Sequence, residues 1–135
     1  MSEKAQTFDP LNIPIEGTNL IEASAGTGKT YGIAALFTRL VVLERLPVES
    51  VLAVPFTKAA TAELKTRLRG RLDEAFRRIR GDKMDEEADD FMRGLLEQAA
   101  RQETPERLEL RLKAALSQFD NAAIYTIHGF CQRIL

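Results

Sequence analysis

The chain has 135 residues, of which 44% are hydrophobic and 29% charged, an ordinary composition for a soluble globular protein with a core of its own. Its formal net charge of −1 does not by itself indicate a nucleic-acid partner, and its one cysteine, Cys131, excludes an intrachain disulfide. The first nine residues hold no apolar signal segment, and no apolar stretch is long enough to span a bilayer. We therefore expect a cytoplasmic protein without a membrane partner.

The first predicted element is an extended arm over residues 7–17. Pro10 and Pro14 each favour extended geometry in the residue before them, which argues against a helix here. The apolar run within residues 18–22 then predicts a short strand. The arm therefore leads into a strand that ends just before residue 23.

Residues 23–30, which follow this strand, have the spelling of a phosphate-binding loop, with Ala23 at the first glycine position. Small residues let consecutive backbone N–H groups surround a phosphate chain, and the N-terminus of the next helix adds partial positive charge. In such a loop Lys29 reaches the β- and γ-phosphates, and the Thr30 hydroxyl is a ligand of Mg²⁺. The alternative is a turn that binds nothing, but the strand and helix predicted on either side favour a nucleotide site. The sequence therefore predicts that ATP and Mg²⁺ bind at Ala23, Ser24, Ala25, Gly26, Thr27, Gly28, Lys29 and Thr30, with Lys29 and Thr30 in catalytic roles.

The next elements predict a βαβ unit. Residues 31–44 have apolar side chains at the spacing of a helix with one buried face, and Pro47 marks a turn. Residues 50–56 then read as a second strand, largely buried as in a parallel sheet that is covered on both faces. The sequence therefore predicts an α/β fold with a parallel sheet and flanking helices.

A helical segment is predicted over residues 58–119. Its first helix, residues 58–80, is strongly basic, and an acidic run between Asp82 and Asp90 follows it. Most such charges belong to a solvated helix face, although part of the basic set is expected to pair with the acidic run. A second helix carries apolar residues from Met84 to Ala99, and a third starts at Thr104 as N-cap with Pro105 in the first position.

The chain is predicted to finish with a third short strand, residues 122–126, and the start of a helix over residues 127–135. Because this last helix ends on apolar residues without a cap, we expect the chain to be a fragment of a longer protein.

Three segments resemble, in order, the first motifs of superfamily 1 DNA helicases of the UvrD/RecB type. Residues 20–30 (LIEASAGTGKT) resemble the family's phosphate loop, A-x-A-G-[ST]-G-K-T, which accounts for Ala23. Residues 54–68 (VPFTKAATAELKTRL) resemble its motif Ia, and residues 125–135 (YTIHGFCQRIL) resemble its motif Ib. The resemblance covers nearly the whole chain.

This resemblance implies a P-loop NTPase (RecA-like) fold, with residues 1–135 as the incomplete N-terminal part of a first helicase motor domain. It implies an ATP-dependent DNA helicase and exonuclease that acts in recombinational double-strand break repair. The implied partners are DNA, as single strands and duplex ends, and the other subunits of an exodeoxyribonuclease V-like complex. The implied DNA contacts are Phe56, Thr57 and Lys58 in motif Ia and Thr126, His128 and Phe130 in motif Ib.

No acidic residue follows a predicted strand in the way that completes such an ATPase site, so we expect these residues alone not to be catalytically competent. Two other functions stay open from the residues themselves. One is a small self-contained P-loop phosphotransferase, such as a kinase, whose basic helix would bind a phosphorylated acceptor. The other is a non-enzymatic nucleic-acid-binding module.

Overall fold

A computed structural model of the chain describes residues 9–13, 15, 29–53, 57–121 and 123–124. None of the helices in these residues has the length and apolar character that a transmembrane span requires. The elements are four α-helices, α1 (Lys29–Val42), α2 (Lys58–Arg80), α3 (Asp90–Gln102) and α4 (Pro105–Ser117), two 3-10 turns, Val48–Ser50 and Phe119–Asn121, and two strands, β1 (Leu52–Ala53) and β2 (Ala123–Ile124).

The predicted fold class is wrong for the residues that the structure describes. We predicted an α/β P-loop (RecA-like) parallel sheet with flanking helices, whereas these residues are mostly helical. Their β structure is limited to one parallel pair of two-residue strands, in which Leu52 pairs with Ala123 and Ala53 with Ile124. The described architecture is therefore a helical assembly with a minimal strand pair.

A local turn delays the start of the second predicted strand. The first residue of the strand expected over residues 50–56 belongs to the turn Val48–Ser50, in which Ser50 Oγ donates a hydrogen bond of 2.7 Å to the carbonyl of Pro47. Only two residues of β1 follow in the described part, and Leu52 is 51% exposed instead of buried. The strand expected over residues 18–22 lies outside the described residues.

Helix α2 has the bounds that its apolar spacing predicted. The Thr57 side chain caps its N-terminus by accepting a hydrogen bond of 3.0 Å from the Ala60 amide. It ends at Gly81, whose φ of 87° lies in the left-handed region that favours glycine. Both ends of the helix are therefore fixed by local chemistry.

The start of α3 corrects a prediction. Apolar spacing placed helical residues from Met84 onward, but α3 begins at Asp90, and the Asp89 side chain caps it by accepting from the Met92 amide at 2.8 Å. Residues 82–89 form the connection that precedes it. The start of α4 is confirmed, with Thr104 as N-cap and Pro105 in the first turn.

The core lies where α2 packs between α1 and α4. Its largest fully buried side chains come from all four α-helices and the first 3-10 turn: Leu68, Leu72, Met92, Leu95, Leu112, Val41, Val42, Val48 and Thr38. Burial of the apolar side chains in this set provides the main driving force for the assembly.

Two arginines attach more distant segments to α1. Arg39 Nη1 donates to the carbonyls of Pro10 (3.2 Å) and Ile13 (2.5 Å), which holds the arm against this helix. Arg111 of α4 contacts the same C-terminal end of α1 at its last carbonyls. The N-terminal arm and α4 are thereby attached to the helix that Lys29 begins.

Candidate nucleotide and nucleic-acid site

Helix α1 places the last two residues of the predicted phosphate loop at a helix N-terminus. Lys29 is its first residue, and Thr30, the next, is half-buried. No acidic residue belongs to this described first turn, and the Asp89 carboxylate contacts it from the start of α3 through the Tyr31 hydroxyl. Residues 23–28 lie outside the described part of the chain, and the nucleotide roles of residues 23–30 stay predictions.

A polar network joins this first turn to two other helices. The Tyr31 hydroxyl donates to Asp89 Oδ2 at 3.1 Å, and Arg71 Nη2 of α2 donates to the same oxygen at 2.6 Å. The Arg71 guanidinium also lies 5.1 Å from the ring centre of Tyr31 and 5.6 Å from that of Phe91. Arg71 therefore holds the start of α1 and the start of α3 against the middle of α2.

The network shifts the acid–base equilibria of its members. Burial tends to raise the pKa of the Asp89 carboxyl, but hydrogen bonds from Arg71 and the Met92 amide outweigh this effect, so the pKa falls below its ordinary value. Burial raises the pKa of the Tyr31 phenol, and the adjacent Asp89 charge adds to the shift. Near neutral pH the network therefore consists of an ionised carboxylate, a neutral phenol and a guanidinium cation.

A small cavity of about 180 Å³ opens beside this network. It is lined by Tyr31, Ala34, Arg67, Gly70 and Arg71, so it lies where α1 crosses α2. A larger groove of about 520 Å³ lies between α2 and residues 83–89, and its lining includes ion pairs such as that of Arg78 and Glu74. The lining of the larger groove carries six carboxylates and four basic side chains, so the groove has a net negative charge and does not suit a phosphate.

The second part of the candidate site is the N-terminus of α2. Thr57 and Lys58, which the resemblance to motif Ia predicts to contact DNA, are both exposed. The Thr57 hydroxyl is engaged as an acceptor by Ala60, and its carbonyl accepts from the Thr61 hydroxyl at 2.9 Å. The other predicted DNA contacts, Phe56, Thr126, His128 and Phe130, lie outside the described residues.

Sequence reasoning missed Tyr31, Arg71 and Asp89 as a unit. Asp89 carries a local signal, since an aspartate just before an apolar helical run is a common N-cap. Arg71 carries no such signal, because it is one of eight basic residues in a helix whose charges were assigned to a solvated face. The expectation that part of this basic set pairs with the acidic run is confirmed by Arg71 with Asp89 and by Arg80 with Asp82.

Residues 4–135 match the UvrD/REP helicase N-terminal domain. The RecBCD enzyme subunit RecB of Escherichia coli (strain K12) is 44% identical over 144 residues, which cover 100% of this chain and 12% of that protein. The RecB subunit of Haemophilus influenzae is 40% identical over 140 residues, covering 95% of the chain and 11% of that protein. The RecB subunit of Mycobacterium tuberculosis (strain CDC 1551 / Oshkosh) is 37% identical over 126 residues, which cover 91% of this chain and 11% of that protein.

The chain thus spans only about a tenth of the length of the curated relatives it matches. The phosphotransferase alternative finds no support among these relatives. The resemblance to UvrD/RecB-type helicases is confirmed, and the chain belongs to the UvrD/REP helicase family through its N-terminal domain.

Proposed function

We propose that this chain is the ATP-binding N-terminal part of a RecB-like DNA helicase and exonuclease subunit. The observation that carries the proposal is the position of Lys29. Lys29 is the lysine of the phosphate-loop motif and also the first residue of α1. The chain that contains it aligns along its whole length with a RecB subunit. A helix that begins at this lysine is the context that the loop chemistry requires.

The nucleotide roles follow from this arrangement. Backbone N–H groups of residues 23–29 would surround the phosphates of ATP, and the Lys29 ammonium would neutralise charge on the β- and γ-phosphates. The Thr30 hydroxyl is an oxygen donor of the kind that Mg²⁺ prefers, and bound Mg²⁺ would offset charge between those phosphates. The chain's own contribution is thus to bind and orient the triphosphate.

We propose that the DNA contacts begin at the N-terminus of α2. The exposed ammonium of Lys58 and the positive end of this helix favour a backbone phosphate. Phe56, Thr57, Thr126, His128 and Phe130 complete the proposed set, with the aromatic rings suited to stacking on single-stranded bases. Single strands and duplex ends are the proposed forms of DNA.

The proposed setting is recombinational double-strand break repair in the cytoplasm, within an exodeoxyribonuclease V-like complex. Support for the complex comes from the relatives, which carry the name of a RecBCD enzyme subunit. These 135 residues alone are proposed to lack efficient ATP turnover. Phosphoryl transfer needs further charged groups around the γ-phosphate, and no acidic residue after a strand is evident in this sequence to supply one.

The test is Lys29→Ala in the full-length product of the gene. We expect ATP-driven unwinding of duplex DNA to be lost, because the triphosphate loses its main cationic partner. Binding of single-stranded DNA without nucleotide should persist, since Lys29 is not among the proposed DNA contacts. ATP binding and strand separation are measured on the same preparations.

Lys113→Ala is the matched control, because Lys113 is an exposed lysine on α4. It removes the same charge and should leave unwinding unchanged. Unwinding that survives Lys29→Ala would contradict the proposed role of residues 23–30.

A further inference from the structure

The basic side chains of α2 fall into two groups that differ in their partners. In the second half of the helix, Arg71, Arg77, Arg78 and Arg80 each form an ion pair with a carboxylate. In the first half, only Arg67 is paired, with Glu63 at 3.3 Å. Within the described residues, no carboxylate lies within ion-pair distance of Lys58, Lys65 or Arg69.

These three unpaired cations lie on one face of α2. Lys65 follows Lys58 by two helical turns, and Arg69 follows Lys65 by about one, so their side chains project in similar directions. At about 1.5 Å per residue, the row extends roughly 16 Å along the helix axis. All three residues are exposed. The row starts at Lys58, beside the proposed DNA contact at Thr57.

Contact with the core orients the last member of the row. The Arg69 guanidinium lies 5.8 Å from the ring centre of Phe119, and Phe119 is buried and packs edge-on against Phe37 at 6.3 Å. A guanidinium that rests on an aromatic face keeps its N–H edge available for a phosphate. Arg69 is therefore partly preorganised for an anion, which lowers the entropy lost on binding.

We propose that Lys65 and Arg69 bind backbone phosphates of single-stranded DNA, so that the contact at Thr57 and Lys58 continues about three turns along α2. The proposal rests on the DNA-binding function proposed above. The ligand follows from the charge pattern, because a row of cations that form no ion pair among the described residues is complementary to a polyanion; the nearest carboxylates, Glu63 and Asp73, pair with Arg67 and Arg77. The paired second half of the same helix has no such excess and marks where the track ends.

The experiment measures binding of fluorescently labelled oligothymidylate to the full-length product of the gene over a range of salt concentrations. With Lys65→Gln and Arg69→Gln combined, we expect affinity near 0.1 M salt to fall on the order of tenfold. We expect the slope of log K against log salt to become shallower by about 1.4, because each phosphate contact to a single strand contributes about 0.7. An unchanged affinity and slope would overturn the proposal.

The matched control is the double variant Arg77→Gln and Arg80→Gln. It removes the same two charges from the same helix, but at residues that are paired with Asp73 and Asp82. We expect its salt slope to equal that of the unmodified protein. If the salt slope became equally shallow in both double variants, the change would be due to net charge alone. This result would overturn the assignment of Lys65 and Arg69 as DNA contacts.

Two further measurements distinguish failure of the Lys65 and Arg69 contacts from failure of the proposed DNA-binding function. Lys65→Gln alone leaves the Arg69 contact with Phe119 intact, so a slope shallower by about 0.7 tests the track without disturbing packing. If the unmodified protein binds oligothymidylate and the variants bind equally well, only the track is wrong. If the unmodified protein does not bind at all, the proposed DNA-binding function fails with it.

Discussion

The Nη2 atom of Arg111 donates a hydrogen bond of 2.6 Å to the carbonyl oxygen of Val42, the last residue of α1. Its Nη1 atom donates to the Val41 carbonyl, also at 2.6 Å, and its guanidinium pairs with Glu103 at 2.5 Å. The final carbonyls of a helix have no partner within the helix and carry partial negative charge. Arg111 therefore completes the C-terminus of α1 from another helix.

Replacement of Arg111 by alanine should destabilise the protein by about 2 kcal/mol, because it leaves two carbonyls and a mostly buried carboxylate without a charged donor. Chemical denaturation of both proteins measures the difference in the free energy of unfolding. Arg107→Ala, at an exposed position one turn earlier on α4, should change stability by less than about 0.5 kcal/mol. Equal effects of the two substitutions would show that the Arg111 contacts contribute nothing specific.

Substitutions at two helix glycines, Gly94 and Gly70, test whether the N-terminal arm packs on α3 through Leu11. A Cβ atom at Gly94 of α3 would overlap the Leu11 Cδ2 atom, whereas a Cβ at Gly70 of α2 would meet no atom within 4 Å. Gly70→Ala should stabilise the protein by about 0.5–1 kcal/mol through helix propensity. Gly94→Ala should not stabilise the protein in this way, because the Leu11 side chain has to move to make room for the new Cβ atom.

A double-mutant cycle checks this explanation. When Leu11 is already alanine, Gly94→Ala should stabilise by about as much as Gly70→Ala does in the unmodified protein. If Gly94→Ala behaves the same in both backgrounds, the arm does not dock on α3 through Leu11.

The lowered pKa of Asp89 predicts how stability depends on pH. A carboxyl group with a lower pKa in the folded state stabilises the fold at pH values above its unfolded pKa, and this contribution is lost as the pH falls through the folded pKa. Asp89→Asn keeps a good N-cap but removes the charge. The stability difference between the unmodified protein and the Asp89→Asn variant should thus be constant from pH 7 to about 5 and shrink below about pH 4.

Thermal unfolding between about pH 2 and 7 measures that difference. Asp90→Asn is the control, because the Asp90 side chain is 95% exposed and an exposed ion pair contributes little. If the stability difference between the unmodified protein and the Asp89→Asn variant stayed constant down to about pH 2, the Asp89 charge would not stabilise the fold.

The cap of α2 supports a fourth prediction. Thr57→Ala removes the acceptor of the Ala60 amide and should cost about 1 kcal/mol of stability, whereas Thr57→Ser should retain most of it. Thr104→Ala, which removes the equivalent cap of α4, should cost a similar amount. Denaturant midpoints measure all three, and an Ala variant as stable as the Ser variant would contradict the role of the cap.

The helices show what the sequence could predict. The bounds of α2 and the start of α4 follow from apolar spacing and from capping residues within three positions, so local information is sufficient. The start of α3 was misplaced because apolar spacing was extended back to Met84, past the local N-cap at Asp89, which accepts from the Met92 amide. Apolar spacing alone does not report the contacts of Asp89 with Arg71 and Tyr31, which lie 18 and 58 residues away.

The strands and the site show where prediction fails. Residues 50–56 are rich in β-branched and apolar types, yet Pro47 and Ser50 form a turn, and β1 starts only at Leu52, so composition placed the start of the strand too early. For the site, the position of Lys29 at the start of a helix was predictable from the loop spelling. The pairing that separates Arg77 from Lys65 was not, because both are basic residues on one helix and only their neighbours differ.

The Arg111 contact also affects how this protein is made. Arg111 is 69 residues beyond Val42, so at roughly 5–20 residues per second the ribosome adds it about 3–14 seconds later. During that interval the last carbonyls of α1 lack the Arg111 contact, and Phe37 lacks its edge-on partner Phe119, which is added later still. The yield of native protein should therefore depend on how well chaperones shield the nascent chain until α4 has emerged.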